Sequence, residues 1–330
     1  MNVPILQVND LKTFYKTRFG DQVHAVDGVS FDLKAGSKLG IAGESGCGKS
    51  TLALSLMGYF MQPLHLKSGT IVVSGNEVTS MSKEDIRTKI LGKEIAYIPQ
   101  AAMNVLNPTG RIKKFVSDVL REHRPELTQK DVMDLAAERF EMLGLERRVL
   151  EAYPHELSGG MKQRTVVAIS TIMNPKVLIA DEPTSALDVS SQKLVIKLID
   201  QLMNADIVKS LIFITHELPL LYHVTDEILV MYAGEIVERG TSKELIFDAY
   251  HPYSQALMNA IVVPEIGMKN KQLSAIPGAP PNLKFEITGC RYAERCSYVT
   301  PACKLGKIDM MTFENRTYRC TRTLEEVKSV

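Results

Sequence analysis

With 330 residues, the chain is long enough for about two domains and a substantial core. Its 45% hydrophobic and 23% charged residues are an ordinary globular composition, and a formal net charge of +1 excludes the broad basic field of a nucleic-acid or anionic-lipid binder. No run approaches the ~18 consecutive apolar residues of a membrane-spanning helix, and the opening MNVPILQVND lacks the charged-then-apolar pattern of a secretory signal, so a cytoplasmic protein with reduced thiols is expected.

The first segment that carries chemistry is GIAGESGCGKSTLALSLMGYF, residues 40–60. KLGIAG reads as a strand and STLALSLMGYF as a helix, with Gly43-x4-Gly48-Lys49-Ser50 and then Thr51 at the junction. This strand–loop–helix setting is that of a phosphate loop. Glycines let successive backbone N–H groups turn toward phosphates, and the helix N-terminus adds its positive dipole end. Lys49 can reach the β- and γ-phosphates, and the Ser50 hydroxyl can ligate Mg²⁺. The expected nucleotide-binding set is Gly43, Ser45, Gly46, Cys47, Gly48, Lys49, Ser50 and Thr51, and the ligand a nucleoside triphosphate. Cys47 reads as a small filler, although a place inside the loop would also suit a thiol of lowered pKa.

Further along, IAYIPQ (95–100) is an apolar strand ending at Gln100, whose amide there could help order a metal and a water. The basic cluster RIKK (111–114) reads as solvated surface. LTQKDVMDLAAERFEMLGL is helical: Thr128 and Asp131 form a capping pair, Val132, Leu135, Ala136, Phe140 and Leu143 recur on one core-facing side, and Gly144 stops the helix. ELSGGMKQR (156–164) opens a helix with a serine and two glycines, a good way to hold a phosphate, yet it has no lysine and no metal hydroxyl. It is half a phosphate site.

KVLIADEPTSALD (176–188) starts with an unbroken apolar run, as a central parallel strand does, and the run ends in Asp181 and Glu182. Asp181 is placed to hold Mg²⁺, and Glu182 to orient and deprotonate the attacking water. SLIFITHE (210–217) repeats the design and ends at His216, which could contact the γ-phosphate.

Of five cysteines, Cys47 stands alone, while Cys290, Cys296, Cys303 and Cys320 crowd together as C-x5-C-x6-C-x16-C beyond a stiff PGAPP linker, which suggests a separate module. In a reduced compartment four such cysteines imply a shared metal rather than two disulfides. Structural zinc usually shows tight C-x2–4-C pairs, which are absent. A segment this small would need such a staple to fold.

In order and spacing, Gly43–Thr51, Gln100, LSGGMKQR (157–164), VLIADE (177–182), SALD (185–188) and His216 resemble the ATP-binding cassette ATPases of ABC transporters, over about residues 5–260. The resemblance implies an α/β fold of the P-loop NTPase, ABC ATPase type: a mixed-sheet core with a helical lobe inserted at about 101–165. It places the cassette at 1–260 and a linker with the four-cysteine segment at 261–330. It also implies two cassettes packed head to tail, each ATP held by one phosphate loop and by the partner's LSGG segment. Ser158, Gly159, Gly160 and Gln163 would then meet a partner's ATP, and Asp188 would lie in a loop against the other cassette. Glu182, His216 and Gln100 form the implied catalytic set, with Ser50, Gln100 and Asp181 around Mg²⁺. Tyr15 resembles the aromatic residue that stacks on adenine, with Phe14 the alternative. Where many members have an aspartate after the histidine, this chain has Glu217, also acidic.

LNP (106–108), HPYSQAL (251–257), IPGAPPNL (276–283) and GCRYAERC narrow the resemblance to oligopeptide/dipeptide-type importer ATPases. Members of that group carry a [4Fe–4S] cluster, which implies Cys290, Cys296, Cys303 and Cys320 as its ligands, zinc being the lesser alternative. The implied partners are a second cassette subunit, identical or not, two transmembrane permease subunits and an extracellular solute-binding protein, at the cytoplasmic face of the membrane and with no nucleic acid. A soluble, non-transport ABC ATPase of DNA repair or translation fits less well, because the chain has one cassette, no long heptad run and a net charge near zero.

Overall fold

A computed structural model of the protein describes residues 3–100, 105–185, 187–260, 276–323 and 325–326. The chain forms two compact units, each assembled from separated stretches. One comprises Leu6–Leu33, Ser37–Val72 and Phe213–Val330; the other comprises Met1–Ile5, Lys34–Gly36 and Val73–Ile212. The units therefore do not divide at residue 260, and the four-cysteine segment shares a unit with the phosphate loop. The start of the expected helical lobe (101–104), Ala186 of the SALD stretch and residues 261–275 of the expected linker lie outside the described residues.

In the phosphate-loop unit, Leu6–Lys16 and Gln22–Leu33 pair antiparallel, and Leu64–Val73 lies beside the first of them. Leu6, Val8, Leu11 and Thr13 are buried while Asn9 and Asp10 are exposed. Asp10 sits at φ 41° and the register slips between Val8 and Leu11, a bulge that returns Leu11 to the inner face. Of an eight-stranded second sheet, this unit holds the consecutive strands Met311–Phe313, Arg316–Tyr318, Glu235–Thr241, Glu227–Tyr232 and Lys38–Ala42. The last two of these, EILVMY and KLGIA, are almost continuously apolar and buried, and they pair in parallel from Leu39–Glu227 to Ala42–Val230. The remaining pairs among these strands are antiparallel.

The four-cysteine segment is stitched into this sheet instead of standing apart as the PGAPP linker suggested. Tyr318 pairs with Glu238 and Thr317 with Arg239. Tyr250, Tyr318 and Cys320 form a buried cluster against Met311 and Phe313. Beneath it, the fully buried Glu238 accepts hydrogen bonds from the backbone N–H of Tyr250 (2.7 Å) and of His251 (2.9 Å), and Arg316 stands 3.3 Å away, stacked on the Tyr250 ring. Burial raises the Glu238 carboxyl pKa, and these partners offset part of that cost. His251, also buried, is pushed down to about 3 by burial and by the Arg319 charge. It is thus neutral, and its Nδ1 accepts from Tyr253 N–H (3.1 Å) to cap the helix Pro252–Asn259.

In the other unit, Ile95–Ile98 and Val177–Asp181 pair in parallel, from Ile95–Val177 to Ile98–Ala180, and every residue of the second strand is buried. Thr128 and Asp131 form the expected reciprocal cap of the helix Gln129–Met142, a device worth ~1 kcal/mol. Val132, Ala136, Phe140 and Leu143 are buried, and Leu135 only partly so. Arg139 on the same helix is buried too, and donates to the Thr171 carbonyl and to Asn174 Oδ1 (2.6 Å). A cation at the C-terminal end of the helix Gly159–Thr171 opposes that helix's dipole favourably and fixes its axis. Among the described residues no helix is long and apolar enough to cross a membrane.

Candidate nucleotide-binding and hydrolysis site

The strand Lys38–Ala42 runs into the loop at residues 43–48, and the helix Lys49–Leu56 leaves it. Gly43 (φ 151°) and Gly48 (φ 107°) hold backbone conformations that side chains rarely adopt, and a Cβ there would lie 2.3 Å from Met231 O and 2.1 Å from Ala25 O. These close approaches fix the loop. Gly48 caps the helix with no side-chain hydrogen bond, and no acidic residue sits in the first turn, so the N-terminal amides keep their affinity for an anion. Ser45, Gly46 and Ser50 are exposed. Lys49 is buried, and its Nζ donates to the carbonyls of Gly43 (2.7 Å) and Glu44 (3.0 Å). Those neutral acceptors are ones that phosphate oxygens would outbid. Cys47 is buried, and burial raises its pKa although Lys49 pulls the other way; it is a filler and not an activated thiolate.

Tyr15 and Phe14 are adjacent on a strand and therefore point to opposite faces. The Tyr15 hydroxyl lies 3.2 Å from Thr51 Oγ1, beside the loop, while Phe14 stacks on His65 at 5.3 Å between centroids. In the same unit Thr215 follows a fully buried strand, its N–H donating to Ile41 O (3.4 Å), and the next residue, His216, is exposed.

The other unit brings together Gln100, Asp181 and Glu182. Asp181 is buried at the end of its strand and accepts from Tyr97 OH (3.0 Å). Glu182 takes up φ 47°, a left-handed conformation costing ~1 kcal/mol, which turns its side chain out of the strand direction. Its carboxylate accepts from Gln100 Nε2 (3.0 Å). Ser158 caps the helix Gly159–Thr171, its Oγ accepting from Met161 N–H (3.3 Å), and Ser158 and Gly159 are exposed with Gly160 half-buried. Gln163 departs from this set: it is 3% exposed and donates to the Pro183 carbonyl. It ties the helix to the turn after Glu182, because one helical turn beyond the exposed Gly159 the same face is covered by that turn. Asp188 is exposed and caps the helix Val189–Asn204, Oδ1 accepting from Ser190 and Ser191 N–H at 3.0 Å. Those bonds, led by the Ser191 hydroxyl, hold its carboxyl below the usual range.

Two family models match the chain: "ABC transporter" over residues 26–185, and "Oligopeptide/dipeptide transporter, C-terminal region" over 237–303. The chain is 41% identical over 298 residues to the oligopeptide transport ATP-binding protein OppD of Bacillus subtilis, which covers 89% of this chain and 82% of that one. The chain belongs to the ABC transporter ATPases of oligopeptide/dipeptide importer type. It is 35% identical over 323 residues to the dipeptide transport ATP-binding protein DppD of Caldanaerobacter subterraneus, 98% of each chain. Among solved structures, the dimeric ABC transporter cassette MJ0796 matches with a TM-score of 0.63 at 24% identity, over 72% of this chain and 98% of that one. That likeness gives the ABC ATPase fold, as the sequence implied. As a member of this family, the protein is an ATP-hydrolysing, nucleotide-binding subunit of an ABC importer, and the non-transport alternative is not favoured.

In this ABC ATPase the four C-terminal cysteines are free thiols lining one small cavity with His251 and Tyr298. Burial pushes Cys290 up to about 11 and raises Cys296 and Cys320 as well. Burial acts on Cys303 too, but hydrogen bonds led by Thr321 and Thr300 outweigh it and lower its pKa. Among the described residues, no group of three or more His, Cys, Asp or Glu side chains is set to hold one metal ion.

Motif reading also passed over Glu44 and Arg295. Arg295 donates to the Glu44 carboxylate through Nη1 (2.7 Å) and Nη2 (2.9 Å), and the Glu44 N–H donates to Tyr253 OH (2.8 Å). An acid one residue inside a loop for a polyanion was the signal that a partner had to exist.

Proposed function

We propose that this ATPase powers uptake of peptides or a closely related solute, working at the cytoplasmic face of the membrane with two permease subunits, a second cassette and an extracellular solute-binding protein. The observation that carries this reading is the end-to-end likeness to a dipeptide transport ATP-binding protein, 98% of both chains, C-terminal region included.

ATP, bound with Mg²⁺, supplies the phosphoryl group, and the residues divide the work. Backbone amides at 43–51 and Lys49 hold the phosphates, Tyr15 offers its ring to the adenine, and Thr51 its hydroxyl to the loop's outer end. By the family resemblance, Ser50, Asp181 and Gln100 would be the oxygen donors for Mg²⁺, which would offset phosphate charge. Glu182 orients the attacking water and takes its proton, Gln100 steadies Glu182, and His216 donates toward the γ-phosphate. Ser158, Gly159 and Gly160 complete a partner cassette's site, and Asp188 lies in the loop that meets that partner.

The groove lined by Leu106, Asn107, Phe115 and Tyr153 suits contact with the permease subunits. The purified assembly in proteoliposomes tests the cargo: peptide-loaded binding protein should stimulate ATP hydrolysis severalfold and accumulate labelled peptide. Stimulation by a nickel complex or an oligosaccharide, and not by peptides, would reject the peptide reading.

The cysteine cavity fits a [4Fe–4S] cluster in its donor set, four thiols on one cavity with no other strong ligand required. Cys290, Cys296, Cys303 and Cys320 would supply its four thiolates. When bound, such a cluster acts here as a cross-link of the segment. Anaerobically purified protein should be brown and contain about four irons and four labile sulfides per chain. Colourless protein holding stoichiometric zinc would reject the assignment.

A further inference from the structure

We infer that Arg295 is a positioning residue for the phosphate loop, which makes the four-cysteine segment part of the nucleotide site. The inference rests on residues 43–51 being the loop that holds the ATP phosphates.

Glu44 is the second residue of that loop, and three of its groups are held. Its carbonyl accepts from Lys49 Nζ, its N–H donates to Tyr253 OH, and its carboxylate takes both arms of the Arg295 guanidinium. Two of those three holds come from the chain beyond residue 250. The fork itself has little freedom. The Arg295 side chain is 5% exposed, its Nε donates to Pro277 O (2.7 Å), and its Nη1 also reaches Tyr232 OH (3.1 Å). Tyr232, Tyr253 and Tyr292 pack around it with ring centroids 4.5–5.3 Å apart. Four residues before it, Arg291 anchors the same segment on Asp27 and the Ala233 carbonyl.

Electrostatics explains why such a clamp would be built. An ionised carboxylate in a phosphate loop repels the triphosphate it must admit, and the repulsion is strong where burial lowers the local dielectric. A bidentate guanidinium cancels that charge and holds the side chain aside, which a lysine could do only as a point charge. Arg295 reaches the loop by way of the Glu44 carboxylate and acts through it. Because Cys296 is its immediate neighbour, whatever holds the cysteines holds the clamp.

A double-mutant cycle on the full chain tests this, with a fluorescent ATP analogue for affinity and steady-state hydrolysis in the assembled complex. Arg295→Ala should weaken ATP about tenfold, and the loss should fall on KM for ATP and not on kcat. In a Glu44→Gln background the same substitution should cost less than about threefold, because the charge to be cancelled is gone. Arg295→Lys should lie between wild type and Arg295→Ala, and it serves in the cycle if the alanine variant does not fold. An equal penalty in both backgrounds, or none in either, would overturn the inference. Lys49→Ala separates the two readings: if it binds ATP like the parent, the loop assignment itself fails, whatever Arg295 does.

Discussion

Replacing Glu182 by Gln should lower ATP turnover by about 10²–10⁴-fold while ATP affinity stays within a few-fold of the parent. The substitution keeps the size of the side chain and one carbonyl oxygen to accept the Gln100 amide, which lies 3.0 Å from the carboxylate in the parent. What it removes is the ability to take a proton from water. Affinity survives because the groups proposed to bind phosphates, at 43–51, are left unchanged. The backbone argues for a dedicated role as well. A residue other than glycine held at φ 47° directly after a fully buried strand keeps a local cost of ~1 kcal/mol that packing alone does not require. Single-turnover phosphate release, measured beside equilibrium binding of a fluorescent ATP analogue, separates the two effects. Hydrolysis at the parental rate would remove Glu182 from its role and leave Gln100 without a reason to be bonded to it.

What could be read from the sequence was whatever is decided within about twenty residues. The strand–loop–helix around Lys49, the apolar run ending at Asp181 and the Thr128–Asp131 cap all follow from local spacing, and each is found where the spacing put it. The inward turn of Gln163 was not legible, because it shares a helix face with the exposed Gly159 and is buried one turn further along, where the Pro183 turn, distant in sequence, covers it. Nor was the pairing of Tyr318 with Glu238, since short strands such as MTF and RTY carry too little pattern to announce a sheet edge. The Arg295–Glu44 clamp joins residues 251 positions apart. A long-range ion pair leaves no periodic trace in either partner, and only the oddity of an acid in a phosphate loop hinted at it.

Gly159→Asp should reduce turnover of the assembled ATPase by at least about a hundredfold, while the isolated chain binds ATP as the parent does. The reasoning separates folding from function. Gly159 is the first residue of a helix capped by Ser158, is exposed, and is not among the glycines of positive φ, so an aspartate fits there without backbone strain. A carboxylate in the first turn even interacts favourably with the helix dipole, by ~0.3–1 kcal/mol. The helix should therefore be as stable as before, or more so, yet its N-terminus would now repel the γ-phosphate it is proposed to meet across a dimer interface. Mixing Gly159→Asp with Lys49→Ala subunits sharpens the test. In a dimer of one of each, the loop of the first faces the intact LSGG segment of the second, so one of the two sites is whole and turnover should return. The other site carries both lesions and stays silent. If instead Gly159→Asp abolished ATP binding by the isolated chain, the LSGG helix would belong to the chain's own site, and nucleotide would have no need of a second cassette to be hydrolysed.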